Sequence, residues 1–141
     1  VLSNHGGRQL DFARSGVEIL EEVMRELRKR GSFPNPAFQV MVDGGFRRGT
    51  DILKALAMGA TAVGIGRPFL YAYSAYGVDG VIHAINLLRD ELEMNMRLIG
   101  ARSIEELVPS MVDLSALHNH TGAVFPKQDQ SVLDFMDKSR L

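Results

Sequence analysis

The stretch Gln39-Val40-Met41-Val42-Asp43-Gly44-Gly45-Phe46-Arg47-Arg48-Gly49-Thr50-Asp51 decides how the chain folds. A short apolar run reads as a buried parallel strand. It stops at Asp-Gly-Gly and passes into two arginines, at the strand end where α/β folds place ligands. Thr50 and Asp51 then open Ile52 to Gly59, whose apolar residues recur at helical spacing and whose last glycine fits a C-cap. The segment is strand, loop, helix.

Working outward, a second strand is expected in Ala60-Thr61-Ala62-Val63-Gly64-Ile65, ending in Gly66-Arg67-Pro68-Phe69-Leu70. Two consecutive parallel strands that end in glycine plus arginine present backbone N–H groups and cationic forks on one rim, as a phosphate monoester requires. The plainer alternative is that the arginines cap helices or pair with Asp43 and Asp51. Glycine beside arginine at both strand ends favours phosphate.

Upstream lies Ser3-Asn4-His5-Gly6-Gly7-Arg8-Gln9-Leu10-Asp11. His5 is a titratable base, Arg8 is a guanidinium able to clamp a carboxylate, and the glycines leave the backbone open to a ligand. A substrate that is both an acid and a proton donor suits that pair. By itself the motif also reads as a surface turn. With His5 after one strand, Arg47 after the next and Arg67 after a third, the expected fold is α/β: strands six to eight, with their helices, of a TIM (β/α)₈ barrel. In that fold the loops after strands seven and eight hold phosphate.

The segments SNHGGRQLD, VDGGFRRGTDILKALAMGA and VGIGRPFLYA together resemble the FMN-dependent α-hydroxy acid dehydrogenase and oxidase family, the family of glycolate oxidase and flavocytochrome-type L-lactate dehydrogenase. The resemblance runs from Val1 to about Leu117. It implies FMN as cofactor and oxidation of a small L-2-hydroxy acid, of lactate or glycolate type, to the 2-oxo acid. His5 matches the family's base and Arg8 its carboxylate-binding arginine. Asp43, Gly44, Gly45 and Arg47 match the loop around the FMN phosphate and ribityl chain, and Gly66 and Arg67 match the second phosphate loop. Arg48 is adjacent to this set and is not assigned. A homo-oligomer, tetrameric in the family, is also implied.

The chemistry suits these roles on its own terms. Histidine, with an ordinary pKa of about 6.5, accepts a proton near neutral pH without large tuning. Arginine stays charged and offers two parallel hydrogen bonds to a carboxylate. By the same resemblance, the family's substrate tyrosines, flavin lysine and histidine-orienting aspartate would precede Val1. A barrel needs about 250 residues against 141 here, so the chain is expected to be an incomplete, inactive fragment when alone. Two rivals stand beside this reading: another phosphate-binding barrel, such as an FMN-dependent isomerase or a nucleotide dehydrogenase, and a non-catalytic half-barrel that binds a partner chain.

Composition narrows the setting. Sixteen Lys and Arg against 17 Asp and Glu leave a formal charge of −1 and no basic field for nucleic acid. No cysteine is present, no apolar run is long enough for a membrane span, and no metal site is expected, His118 and His120 lacking acidic or cysteine neighbours. Arg14 to Arg30 reads as an outer helix whose charge run, from Glu18 through Glu21 to Lys29, forms a solvated face. A last long helix is expected over Val78 to Ile99, with Val81, Ile82, Ile85, Leu88, Leu92, Met96 and Ile99 as its apolar stripe. His83 on it is a surface or packed histidine, and Met94, Met96 and Met111 are core filling. Ser103 to Glu106 resembles a capping box.

The domain reading is 1–117 as barrel portion and 118–141 as a tail, which by resemblance contacts a neighbouring subunit. The terminal Ser139-Arg140-Leu141 is a close variant of the Ser-Lys-Leu peroxisomal address. A peroxisomal location is therefore expected, with the mitochondrial intermembrane space or cytoplasm as alternatives.

Overall fold

Ser15 starts the first long element of the chain, whose residues 1–117 are described by a computed structural model. Its N–H donates to the Glu18 carboxylate at 2.8 Å, and its hydroxyl accepts from the Glu18 N–H at 3.3 Å. That reciprocal cap answers two of the donors a helix start leaves open and begins α1 (Gly16–Lys29). Then come β1 (Met41–Asp43), α2 (Gly49–Met58), β2 (Ala62–Gly64) and α3 (Arg67–Leu98). Single 3₁₀ turns lie at His5–Gly7, Ile104–Glu106 and Pro109–Met111.

β1 and β2 run parallel with Val42 opposite Val63, and Leu2 bridges Val42 in parallel from the other edge. The Leu2 N–H donates to the Met41 carbonyl at 2.7 Å, and the Leu2 carbonyl accepts from the Asp43 N–H at 3.1 Å. The order across the sheet is therefore Leu2, β1, β2. The strand expected ahead of His5 is reduced to this one bridge residue. The chain leaves the sheet at Ser3, whose hydroxyl accepts from the His5 N–H at 3.0 Å and so starts the turn.

Leu20 and Met24 of α1 are fully buried in one cluster with Val42, Phe46, and Ala55 and Met58 of α2. Burial of this kind is worth about 1.5–3 kcal/mol per large side chain, and it fastens both helices to one face of the sheet. A Cβ on Gly16 would lie 2.5 Å from the Asp43 carbonyl oxygen, so glycine there lets α1 begin directly against the end of β1. α2 closes at Gly59, left-handed at φ 116, as its sequence predicts. On its far side Leu53 and Ala57 pack with Ala101, Leu107, Leu92 and Met96.

Several expectations need correction. The helix expected over Val78 to Ile99 is present as the second piece of α3, and a first piece outside that expectation begins at Arg67, with Pro68 pre-set for its first turn. A break at Tyr76 and Gly77 (φ 61, ψ −144) separates the two pieces. Only part of the expected stripe is covered: Leu92 and Met96 pack, whereas Ile82, Ile85 and Ile99 are exposed. The 10-residue α2 is too short to cover the 32 residues of α3. Met94 is exposed for the same reason, and Met111, on the turn at Pro109–Met111, and His83 are exposed as well. Glu21 interrupts the solvated face of α1. It is 7% exposed, sharing a crevice with Pro109 and Leu114 while Arg25 bonds it at 3.3 Å. Ser103 gives no side-chain cap to its turn; Glu106 accepts from the Arg102 N–H instead, at 2.8 Å. The expected roles of His118, His120 and Ser139-Arg140-Leu141 lie outside the described residues.

Candidate functional site

Three turns meet at the C-terminal end of the parallel strands and enclose one open cavity of about 770 Å³. That volume lies within the roughly 300–1,000 Å³ of small-molecule sites. His5 and Arg8 come from the first turn, Asp43, Gly44, Gly45 and Arg47 from the second, and Gly66 and Arg67 from the third. All eight residues singled out from the sequence therefore line the same space. Three guanidinium groups face it against one carboxylate, which favours an anionic occupant.

The first turn is wound left-handed three times in succession, at His5 (φ 55), Gly6 (φ 64) and Gly7 (φ 72). Such a conformation is unfavourable for a non-glycine residue and needs holding. Asn4 holds it: its Oδ1 accepts from the Gly7 N–H at 3.1 Å and its Nδ2 donates to the Arg14 carbonyl at 3.2 Å. From the third turn, Arg67 Nη2 donates to the Gly6 carbonyl at 2.8 Å. A Cβ on Gly6 would lie 2.9 Å from that nitrogen, the movable end of the Arg67 side chain, and it is the left-handed φ of 64 that favours glycine here.

In the second turn Phe46 is 4% exposed and plants the loop in the core. Gly44 (φ 93) and Gly45 (φ 86) turn the backbone beside it. Asp43 Oδ1 is buried without a hydrogen-bond partner among the described residues. A buried carboxylate oxygen left in this way is completed by a donor from outside, such as a hydroxyl. Gly64 gives it room, since a Cβ there would lie 2.9 Å from the Asp43 Cβ.

The two adjacent arginines separate. Arg47 lines the cavity, while Arg48 turns to α3 and pairs with Glu91. Neither guanidinium pairs with Asp51, which instead accepts from the backbone N–H groups of Arg47 at 3.1 Å and Arg48 at 3.0 Å. The Arg48 guanidinium and the Gly49 N–H hold the Glu91 carboxyl below its ordinary range. Asn4, Leu70 and Tyr71 were not singled out from the sequence. Asn4 could have been read as a turn-capping amide ahead of the glycines, but Leu70 and Tyr71 reach the cavity only because α3 begins at Arg67.

The residues fit a flavin mononucleotide: glycine-lined backbone and arginines for the phosphate, and an unanswered carboxylate oxygen for a ribityl hydroxyl. Among the described residues no cluster of three or more His, Asp or Glu groups is placed to hold a metal, and no helix is long and apolar enough to cross a membrane.

Comparison with known proteins points the same way. A family model described as FMN-dependent dehydrogenase matches residues 1–114. The chain is 60% identical over 119 residues to the L-lactate dehydrogenase (cytochrome) of Wickerhamomyces anomalus, covering 84% of this chain and 20% of that protein. It is 49% identical over 107 residues to glycolate oxidase 2 of Oryza sativa subsp. indica, covering 76% of this chain and 27% of that one. A double mutant of flavocytochrome b2 with pyruvate bound superposes at a TM-score of 0.80 with 53% identity, over 94% of this chain and 33% of the other. The chain thus spans about a fifth of the length of the lactate dehydrogenases it matches.

Proposed function

Because the chain belongs to the FMN-dependent dehydrogenase family, we propose that it supplies the base, the carboxylate clamp and the cofactor phosphate site for oxidation of a small L-2-hydroxy acid to the 2-oxo acid. The observation that carries this reading is the gathering of His5, Arg8, Asp43, Arg47 and Arg67 around one cavity. Arg8 binds the substrate carboxylate through its planar fork. His5 accepts one proton of the substrate's CH–OH group, and the two electrons with the remaining proton pass to the acceptor, the hydroxyl-bearing carbon becoming a carbonyl. FMN, when bound, is the two-electron acceptor of this chemistry. Gly44, Gly45, Arg47, Gly66 and Arg67 would hold its phosphate, and Asp43 Oδ1 would accept from a ribityl hydroxyl.

In this reading Leu2, β1 and β2 are strands six, seven and eight of a (β/α)₈ barrel whose other units close the cavity and complete the active protein, a homo-oligomer. Leu70, Tyr71, Tyr73 and Tyr76 are exposed at and beyond the start of α3. A surface of that kind marks a site of further packing. The terminal Ser139-Arg140-Leu141 supports a peroxisomal location, and one rice and two Arabidopsis relatives are described as peroxisomal.

The test is a flavin fluorescence titration of the chain, alone and mixed with the part of flavocytochrome b2 that it does not match. FMN binding in the mixture, with bleaching on addition of L-lactate or glycolate, is the expected result. His5→Ala should keep the flavin and lose the bleaching, by a factor of about 10²–10⁴ in rate. A folded mixture that takes up no FMN overturns the reading.

A further inference from the structure

We propose that Glu91, on α3, is a positioning residue for the cofactor-phosphate loop, an inference that rests on the FMN reading above. Glu91 stands 43 residues beyond Arg48 in the chain and outside the cavity. Its Oε1 accepts from Arg48 Nε at 2.7 Å and also from Arg48 Nη2, while its Oε2 accepts from the Gly49 N–H. One carboxylate therefore fixes both a side chain and a backbone donor of the turn that joins β1 to α2.

The consequence lies in which donors remain. Asp51 accepts the N–H groups of Arg47 and Arg48, and Glu91 accepts that of Gly49. Every backbone donor from Arg47 to Gly49 is thus answered by a carboxylate of the chain itself. The start of α2 would otherwise attract an anion, as helix starts do. With that place filled and Arg48 turned away, the phosphate is left to Gly44, Gly45, Arg47 and the third turn.

The backbone packing makes this more than a surface ion pair, which by itself contributes little. A Cβ on Gly49 would lie 2.5 Å from the Leu92 nitrogen and 2.8 Å from the Glu91 carbonyl carbon. α3 touches the loop at the very residues that hold it, so the contact and the hydrogen bonds set one register together. Phe46 anchors the loop from the core side and Glu91 from the outer side, with Arg47 between them.

The experiment compares FMN with riboflavin, which lacks the phosphate, in titrations of the wild-type mixture defined above and of Glu91→Gln, at physiological salt to screen the change in charge. Glu91→Gln should weaken FMN binding by about tenfold and leave riboflavin binding unchanged. Arg48→Met should give the same loss, and the double variant no more than either single one, because both act through one pair. Equal weakening of both flavins would assign Glu91 to the α2–α3 contact alone and overturn the proposal. So would unchanged or tighter FMN binding in Glu91→Gln, or a larger loss in Arg48→Met, which would make Arg48 a direct phosphate ligand. A wild-type mixture that binds no FMN overturns the functional reading instead.

Discussion

The two strand-to-helix turns of the sheet look alike in sequence and differ in how their donors are used. β1 leads into α2 through Asp43-Gly44-Gly45-Phe46-Arg47-Arg48, and β2 leads into α3 through Ile65-Gly66-Arg67. At the start of α2, Asp51 and Glu91 take the backbone N–H groups and Arg48 is paired. At the start of α3 the N-cap is Gly66, no side chain caps it, and no acidic residue lies in the first turn. One turn is braced by the protein's own carboxylates and the other keeps its positive end for a ligand. The difference teaches that glycine plus arginine marks a rim, while the distribution of nearby carboxylates decides which backbone donors on that rim stay open.

The largest effect should come from breaking the open turn. Arg67→Ala removes a guanidinium from the cavity and also frees the Gly6 carbonyl it holds at 2.8 Å. FMN affinity of the completed barrel should fall by about a hundredfold, the loss of a charge-assisted pair in a partly enclosed site. Fluorescence titration measures it. Retention of full affinity would place the phosphate at the braced turn and reverse the comparison.

A smaller effect is expected from filling the two glycines that begin these helices. A Cβ on Gly49 meets the backbone of α3 at 2.5 Å, whereas one on Gly66 meets nothing within 4 Å. Backbone cannot rotate away as a side chain can, so Gly49→Ala should cost about 1–3 kcal/mol of stability. Gly66→Ala should cost well under half of that in a chemical denaturation of the same assembly. Equal costs would mean that the α2–α3 contact is looser than its geometry.

What could be read from the sequence follows the same division. The Asp43-Gly44-Gly45 break, the Gly66-Arg67 break, the His5 and Arg8 pair and the Gly59 cap are local signals, each written within a few adjacent residues; the first three line one cavity and the last closes α2. Glu91 was invisible because its partner is 43 residues away and it sits in the charged run Arg89-Asp90-Glu91, where any member reads as solvated. Glu21 was misread for a related reason: helical spacing shows a charged position but not the segment at Pro109 and Leu114 that later covers it. The helical start at Val78 was legible because it follows Gly77, whereas the first piece of α3 from Arg67 was not, since Arg67 and Pro68 read as the end of a strand and not as the opening of a helix.

The mildest test addresses the brace by pH. The Arg48 guanidinium first, and the Gly49 N–H second, hold the folded-state pKa of Glu91 below its ordinary 4.5. A depressed carboxyl binds fewer protons in the folded state than in the unfolded one. Its stabilisation is therefore present in full above the ordinary value and is lost as pH falls through the lower, folded one. Glu26, Glu105 and Glu106 are lowered as well, by Arg30, by the Glu105 backbone and by the Arg102 backbone respectively as first causes, so among the described residues Glu91 shares the acid loss of stability with these three. Thermal melting of wild type and Glu91→Gln should therefore give curves that differ in full above pH 4.5 and converge as the pH falls from there through the lower, folded value, with a shallower slope in the variant and not a flat one. Parallel curves across that window would show that Glu91 contributes no charge-dependent hold on the turn, and that packing at Gly49 alone separates the braced helix start from the open one.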